Sequence, residues 1–138
     1  MAIRTTSIAH IRLTVTDIAR SRAFYERVFG WPVAVEAPAD ADQATQDAFA
    51  SLFGGVIYQL GDGLLGLRPV ESGTFDEDRV GLDHLAFAVA SRSELEEAVA
   101  TLDEIGVAHG EIKDIGQGFI VEFRDPDNIA LELYAPSA

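Results

Sequence analysis

The sequence predicts an α+β fold made of two βαβββ modules, and three observations support this: a repeated strand pattern, a helix signal after each copy, and short strands after each helix. The strand pattern covers residues 8–15 and returns at 82–89, which places His10 and His84 at equivalent positions 74 residues apart. In both copies apolar residues alternate with polar or small ones, the period of a strand with one face on a core. We therefore expect the chain to be internally duplicated.

Each predicted strand has one apolar face and one face that leaves space. In the first strand Ile11, Leu13 and Val15 form the apolar face, and His10 and Arg12 lie on the other. The second strand has the same alternation, with small residues beside its histidine. Because small and polar side chains do not fill a core, we expect the two histidine faces to border a cavity.

Capping signals predict one helix in each module. Asp17 is placed to begin the first helix and Gly30 to end it. In the second module Ser93 and Glu96 have capping-box spacing, and Gly106 is placed to end the helix.

Three short strands are predicted after each helix, at 32–36, 56–60 and 64–68 in the first module and at 107–113, 118–124 and 129–134 in the second. The modules cover about residues 6–70 and 80–136 of a single domain, 1–138. Residues 40–53 form an insertion whose apolar residues recur at helical spacing. The insertion is interpreted as a short helix, either a cover over the cavity or a packed connection.

The composition excludes several function classes. The chain has 138 residues, with 23 Asp and Glu against 10 Lys and Arg, a formal charge of −13 and no basic stripe. A nucleic-acid partner or an anionic membrane surface is therefore not expected. No segment resembles a targeting leader or a membrane span, so we expect a cytoplasmic protein. Because Cys is absent, a metal must be held by nitrogen and oxygen ligands.

His10, His84 and Glu132 are the candidate metal ligands. The two histidines hold equivalent strand positions, and Glu132 alternates with Leu131 and Leu133 in the last strand. Two imidazoles and a carboxylate with open positions are typical of catalytic zinc and non-haem iron sites, and Zn, Mn, Fe, Co or Ni suits such donors. The alternative is that these are ordinary strand and surface residues. His109 is interpreted as a loop residue.

Further candidates would contact a substrate. Glu132 and Tyr134 share a strand face and are the candidate catalytic residues, Tyr134 as a hydrogen-bond donor. Arg12 lies two residues from His10 and either binds an anionic substrate or pairs with one of the many carboxylates. Three aromatic residues either form an apolar wall for a small-molecule ligand or belong to the core; they are Phe49, Phe53 and Tyr58.

Several motifs resemble those of the vicinal oxygen chelate superfamily. They are residues 8–10 (IAH), 21–25 (SRAFY), 29–31 (FGW), 82–87 (LDHLAF), 123–128 (FRDPDN) and 132–134 (ELY). This superfamily holds glyoxalase I, fosfomycin resistance transferases, methylmalonyl-CoA epimerase, type I extradiol dioxygenases and bleomycin-binding proteins. The resemblance implies paired modules in a curled mixed sheet around a central cavity, often in a homodimer, with His10, His84 and Glu132 at the family's positions for a divalent metal.

One departure from the family pattern narrows the function. Glyoxalase I members have a further carboxylate ligand in the last strand of the first module, where this chain has Gly66. Classical glyoxalase I activity is therefore disfavoured. The resemblance implies a metalloenzyme whose metal chelates adjacent oxygens of a small substrate, of lyase, isomerase, dioxygenase or transferase type. The alternative is a metal-free protein that binds a small molecule or antibiotic.

Overall fold

Within residues 1–137, which the computed structural model describes, the strands form two four-stranded sheets of the same design. The elements follow in the order β1 (His10–Val15), α1 (Ile18–Phe29), β2 (Val33–Glu36), α2 (Gln43–Ala48), β3 (Val56–Leu60), β4 (Gly63–Pro69), β5 (Leu85–Ala88), α3 (Arg92–Ile105), β6 (Lys113–Asp114), β7 (Gly118–Arg124) and β8 (Ala130–Pro136). The chain divides into two units, Met1–Gly73 and a second that begins at Thr74. The predicted α+β class and the βαβββ order of both modules are confirmed.

The strands form mixed sheets, as predicted. Their strand orders are β1-β4-β3-β2 and β5-β8-β7-β6, so the strands bond as two four-stranded sheets, and neither is closed. The strand at each end of these two orders has a bonded neighbour on one side only. In each sheet the first strand runs parallel to the last strand of its unit, and the remaining pairs are antiparallel.

Each sheet buries one face under a helix. In the first unit α1 packs against β4, and the buried face contains Leu13, Val15, Val56, Tyr58, Leu65 and Leu67. In the second unit α3 packs against β7 and β8, and the buried face contains Leu85, Val121, Phe123, Leu131, Leu133 and Ala135. The predicted alternation in β1 is confirmed, since Leu13 and Val15 are buried and His10 and Arg12 are exposed.

The first predicted helix is confirmed at both ends, but the second begins earlier than predicted. The Asp17 carboxylate accepts the Arg20 amide at 3.0 Å, and Gly30 ends α1 at a φ of 65°. The cap of α3 is Ser91 rather than Ser93: its Oγ accepts the Glu94 amide at 3.2 Å, and the Glu94 carboxylate accepts the Ala90 amide at 2.8 Å. Capping-box spacing occurs twice in this stretch, and the earlier pair begins the helix.

Several strand boundaries also required correction. The strand predicted at 107–113 is wrong, because this stretch contains only an isolated bridge between His109 and Phe123 before the two-residue β6. Strand β5 begins at Leu85, so His84 precedes it instead of lying within it. The other predicted strands are confirmed to within about two residues at each end, the usual error of such boundaries.

The insertion contains the predicted short helix. Helix α2 begins after Asp42, because the Asp42 carboxylate accepts the Thr45 amide at 2.8 Å. Hydrogen bonds from the Thr45 side chain and from its amide lower the pKa of Asp42 below its ordinary value. A single 3₁₀ turn at Ala50–Leu52 follows, and Leu52 is buried. In residues 1–137 every helix is too short or too polar to cross a bilayer.

The position of the α3 cap can be tested with two serines. Ser91→Ala removes the acceptor for the Glu94 amide and should lower the free energy of unfolding by about 1 kcal/mol. Ser93→Ala is the matched control, because Ser93 is the second residue of the helix and not its cap, and it should change stability by less than about 0.5 kcal/mol. Urea unfolding followed by circular dichroism measures both, and a larger loss for Ser93→Ala would contradict the assignment.

Candidate functional site

The strand registers show which positions of the two open sheet faces correspond. In the first unit Arg12 of β1 lies opposite Gly66 of β4, and in the second Ala86 of β5 lies opposite Glu132 of β8. Gly66 is therefore the counterpart of Glu132. In the same way Arg68, opposite Thr14, is the counterpart of Tyr134, opposite Ala88.

The two faces carry opposite charge at these positions. The first has Arg12 over Gly66, and the second has Glu132 beside Ala86. A Cβ built on Gly66 would lie 3.0 Å from the Arg12 Cγ, so the arginine stem occupies the space that a side chain at 66 would need. A carboxylate at position 66 would require Arg12 to move.

His84 and Glu132 form the centre of the candidate site in the second unit. The His84 Nε2 lies 3.6 Å from Glu132 Oε2, and the Nδ1–H of the same ring donates to Asp83 Oδ1 at 2.5 Å. The Glu132 side chain is only 13% exposed, against 43% for His84. The Asp83 hydrogen bond, together with the negative charges of Glu132 and Glu122, raises the pKa of His84, while burial opposes the shift.

Another carboxylate shares this face. Glu122 of β7 pairs with Glu132 across the strands, which brings two acidic side chains onto one side of the sheet. The Lys113 ammonium lies 3.2 Å from Glu122 Oε2, which offsets part of the repulsion. The face is therefore an acidic environment, suited to a cation.

A cavity of about 520 Å³ in the second unit includes these residues. Its lining consists of Glu77, Asp83, His84, Ala108, His109, Gly110, Glu122, Phe123, Arg124, Ala130, Leu131 and Glu132. This volume suits a small molecule.

An ion pair holds one wall of the cavity. The Arg124 guanidinium donates to both carboxylate oxygens of Glu77, at 2.6 and 3.2 Å, and also to the Asn128 carbonyl at 3.1 Å. The hydrogen bonds from Arg124 lower the pKa of Glu77 to about 2. No local sequence pattern predicts this pair, because Glu77 and Arg124 are 47 residues apart in the chain.

His109 also lines the cavity and has two acceptors. Its Nδ1–H donates to the Gly110 carbonyl at 2.6 Å and its Nε2–H to Asp103 at 2.7 Å. Both bonds are available only to the imidazolium, so they raise the pKa of His109, the Gly110 bond most. His109 lies outside the regular strands, in agreement with its interpretation as a loop residue.

The candidate substrate residues separate into three environments. Tyr58 has no exposed surface, and its hydroxyl donates to Glu26 at 3.0 Å, so it belongs to the core and forms no ligand wall. Burial is the main cause that raises the Tyr58 pKa. Phe49 is half-buried, whereas the Phe53 side chain is 64% exposed. The Tyr134 hydroxyl donates to the Gln117 carbonyl at 3.2 Å.

The structure brings together part of the predicted metal set. His84 and Glu132 belong to the second unit and His10 to the first. Among residues 1–137, no three His, Asp or Glu side chains are grouped so that they could hold a metal ion together. Besides Glu77 and Arg124, sequence reasoning missed Asp83, which orients His84. It also missed Arg68, whose position opposite Thr14 the strand alternation could have indicated.

Comparison with known proteins supports the class that this fold defines, a chain of two βαβββ modules. The profile of the Glyoxalase/Bleomycin resistance protein/Dioxygenase superfamily matches residues 7–133. The chain is 34% identical over 131 residues to the protein YwkD of Bacillus subtilis (strain 168), covering 93% of this chain and 95% of YwkD.

Solved structures of other proteins share this fold. A glyoxylase/bleomycin resistance protein/dioxygenase domain from Frankia sp. EAN1pec superposes with a TM-score of 0.78 at 31% identity, covering 96% of this chain and 93% of that one. A variant of FosX, a fosfomycin resistance protein from Listeria monocytogenes, superposes with a TM-score of 0.73 at 20% identity, covering 97% and 95%. The chain belongs to the Glyoxalase/Bleomycin resistance protein/Dioxygenase superfamily, which confirms the resemblance of its motifs to vicinal oxygen chelate proteins.

The two hydrogen bonds of His109 predict a pH-dependent contribution to stability. Because its folded pKa is raised above the unfolded value of about 6.5, the stabilisation is complete below that pH and is lost as the pH rises through the folded pKa. His109→Gln should therefore lower the free energy of unfolding more at about pH 5.5 than at about pH 9. Denaturant unfolding at both pH values measures the difference.

Asp103→Asn serves as the control for this prediction. It keeps the imidazole but removes the acceptor of Nε2, so it should reduce the same pH dependence in part. A His109→Gln difference that is equal at the two pH values would contradict the prediction.

Proposed function

We propose that this chain is a metal-dependent enzyme that acts on a small substrate with adjacent oxygen atoms. The observation that carries the proposal is the His84–Glu132 pair, in which Asp83 fixes the imidazole and the Nε2 faces a carboxylate. A carboxylate on the far nitrogen of a metal-binding histidine is a frequent feature of metal sites, because it selects the tautomer and makes the imidazole a better donor.

The donor chemistry of this pair suits a divalent cation. One neutral imidazole nitrogen and one carboxylate match the preferences of Zn, Mn, Fe, Co and Ni, and Glu122 adds negative charge on the same face. His10 remains the predicted third ligand. The same fold hosts Mn(II) and 1S,2S-dihydroxypropylphosphonic acid in the FosX variant, which supports a metal in a fold of this kind.

When bound, such a metal polarises a substrate oxygen or stabilises negative charge that develops on it. The chain's own residues have separate tasks. Asp83 orients the His84 ring, and Glu132, the least exposed of the three side chains, holds negative charge where water has little access. Tyr134 remains the predicted hydrogen-bond donor to a substrate oxygen, and in this structure its hydroxyl donates to the Gln117 carbonyl.

Gly66 disfavours one activity among the possible reaction classes. Position 66 has no side chain, and the Arg12 stem fills the space above it. The first unit therefore offers no carboxylate there as a fourth metal ligand, and glyoxalase I chemistry remains disfavoured. Isomerase, dioxygenase, transferase and other lyase reactions require only a chelated pair of substrate oxygens and remain within the proposal.

Metal-free binding of a small aromatic molecule is the second candidate function. The exposed ring of Phe53, on the same unit as Arg12, favours it, because a large apolar side chain held in solvent often marks a binding surface. In this case the histidine pair would not hold a metal, and the cavity would serve sequestration or resistance.

We also propose that residues 6–70 and 80–136 are two modules of one domain and that the chain works in the cytoplasm as a homodimer. The one-sided pairing of the outer strands supports association, because such edges can pair with another chain. Sedimentation equilibrium should give twice the chain mass of 14.9 kDa. A species of single-chain mass at all concentrations would contradict the dimer.

Metal uptake tests the proposed function. Protein purified without chelator, and apo protein offered Mn, Fe, Co, Ni or Zn, should bind a divalent metal, as measured by equilibrium dialysis and elemental analysis. His84→Ala and Glu132→Gln should each lower the affinity by more than about tenfold, and Asp83→Asn by about 10- to 100-fold because it acts through His84.

Glu104→Gln is the matched control for Glu132→Gln. Glu104 is exposed on α3 and the change removes the same charge, so metal affinity should stay at the wild-type value. A wild-type chain that takes up none of these metals rules out the enzyme. Stabilisation by a small aromatic ligand that persists in His84→Ala would then favour the binding protein.

A further inference from the structure

Two arginines on the open face of the first sheet have no acidic partner. Arg12 and Arg68 take part in none of the ion pairs of residues 1–137, although the chain has 23 Asp and Glu. Other cations in the same residues do pair with carboxylates; they are Arg22, Arg79, Arg92, Lys113 and Arg124. In so acidic a chain, two unpaired guanidinium groups on one face are available to an external anion.

The register places both arginines on the same side of the sheet. Arg12 lies opposite Gly66, and Arg68 follows Gly66 by two positions on β4, opposite Thr14. Residues two apart on a strand point to the same face. With no side chain at Gly66, the Arg12 stem lies directly over β4, as the 3.0 Å approach to its Cγ shows.

An exposed aromatic ring stands next to both guanidinium groups. The Cζ atoms of Arg12 and Arg68 lie 6.0 and 5.6 Å from the centroid of the Phe53 ring. Phe53 has a φ of 52°, a conformation that costs free energy for a residue with a side chain. The turn that ends the insertion therefore holds a large apolar ring in solvent, beside two cations, at the expense of both strain and exposure.

We infer that Arg12, Arg68 and Phe53 form a binding subsite for a small aromatic carboxylate. The guanidinium N–H groups donate to the carboxylate oxygens, and the ligand's ring packs against Phe53. The equivalent positions of the second sheet carry Ala86 and Tyr134 in place of the two arginines, and the Glu132 carboxylate, opposite Ala86, repels an anion. The ligand therefore distinguishes the two faces by charge.

The inference that the substrate is an aromatic carboxylate rests on the proposed function. The inference that this subsite binds such an anion does not. Metal uptake depends on His84 and Glu132, whereas the subsite uses none of the proposed metal ligands. The two can therefore fail separately: loss of metal binding in His84→Ala should leave carboxylate binding in the apo chain unchanged.

Benzoate is the probe, with benzamide as its neutral counterpart and acetate as the anion without a ring. Titrations of the full-length apo chain, followed by NMR of the backbone amides and the arginine Nε–H groups, should show saturable benzoate binding. Benzamide and acetate should each bind at least about tenfold more weakly, since each lacks one of the two contacts.

Variants identify the residues. Arg12→Gln and Arg68→Gln should each weaken benzoate binding by at least about tenfold, the effect of losing a charged hydrogen-bond partner. Phe53→Leu should remove the preference for benzoate over acetate. Arg27→Gln is the matched control: it removes the same charge from the exposed last turn of α1, on the helix that covers the opposite face of the sheet, and should leave binding unchanged.

Three results would overturn the inference. They are the absence of saturable benzoate binding to a folded wild-type chain, equal binding of benzoate and benzamide, and wild-type affinity in both arginine variants. Each variant is accepted only when its circular dichroism spectrum and unfolding midpoint show a folded protein.

Discussion

The parallel pairing between the first and last strand of each unit is the constraint on which the rest of the structure depends. This pairing fixes which residue of β4 faces Arg12 and which residue of β8 faces Ala86. A parallel pair cannot be closed by a tight turn, so a helix and two further strands lie between its members. The helix then covers one face of the sheet, and the residues that alternate with the core stay on the other.

The two units share one strand register but place side chains of different charge at equivalent positions. At one pair of equivalent positions the first unit has Arg12 opposite Gly66, and the second has Ala86 opposite Glu132. Arg12 and Gly66 are physically linked, because any side chain at 66 would meet the Arg12 stem. Likewise Ala86 leaves the Glu132 side chain free of a bulky neighbour on β5. The duplication thus supplies the frame, and a few side-chain exchanges give each face its own chemistry.

The alternation of apolar residues and the helix-capping signals explain how much of the fold and of the candidate site could be predicted from the sequence. The period of two placed Leu13 and Val15 in the core and His10 and Arg12 outside it, as the structure has them. The same rule places Tyr58 with Val56 on the buried face of β3, so its core position was within reach of the pattern. The start of α3 was not within reach, since Ser91 and Ser93 each have a glutamate three residues later and the capping pattern alone does not choose between them. The Glu77–Arg124 pair was also beyond reach, because no local pattern relates residues so far apart.

The acidic face of the second sheet lowers the stability of that sheet. Carboxylates directly opposite each other on neighbouring strands destabilise a sheet, and Glu122 and Glu132 occupy such a pair. Lys113 relieves Glu122 and His84 approaches Glu132, but Asp83 adds a further negative charge beside the same imidazole. A sheet selected for stability alone would replace one carboxylate with a neutral residue. In the proposed metal-dependent enzyme, a bound cation would offset the repulsion of all three carboxylates at once and would thereby stabilise the folded chain.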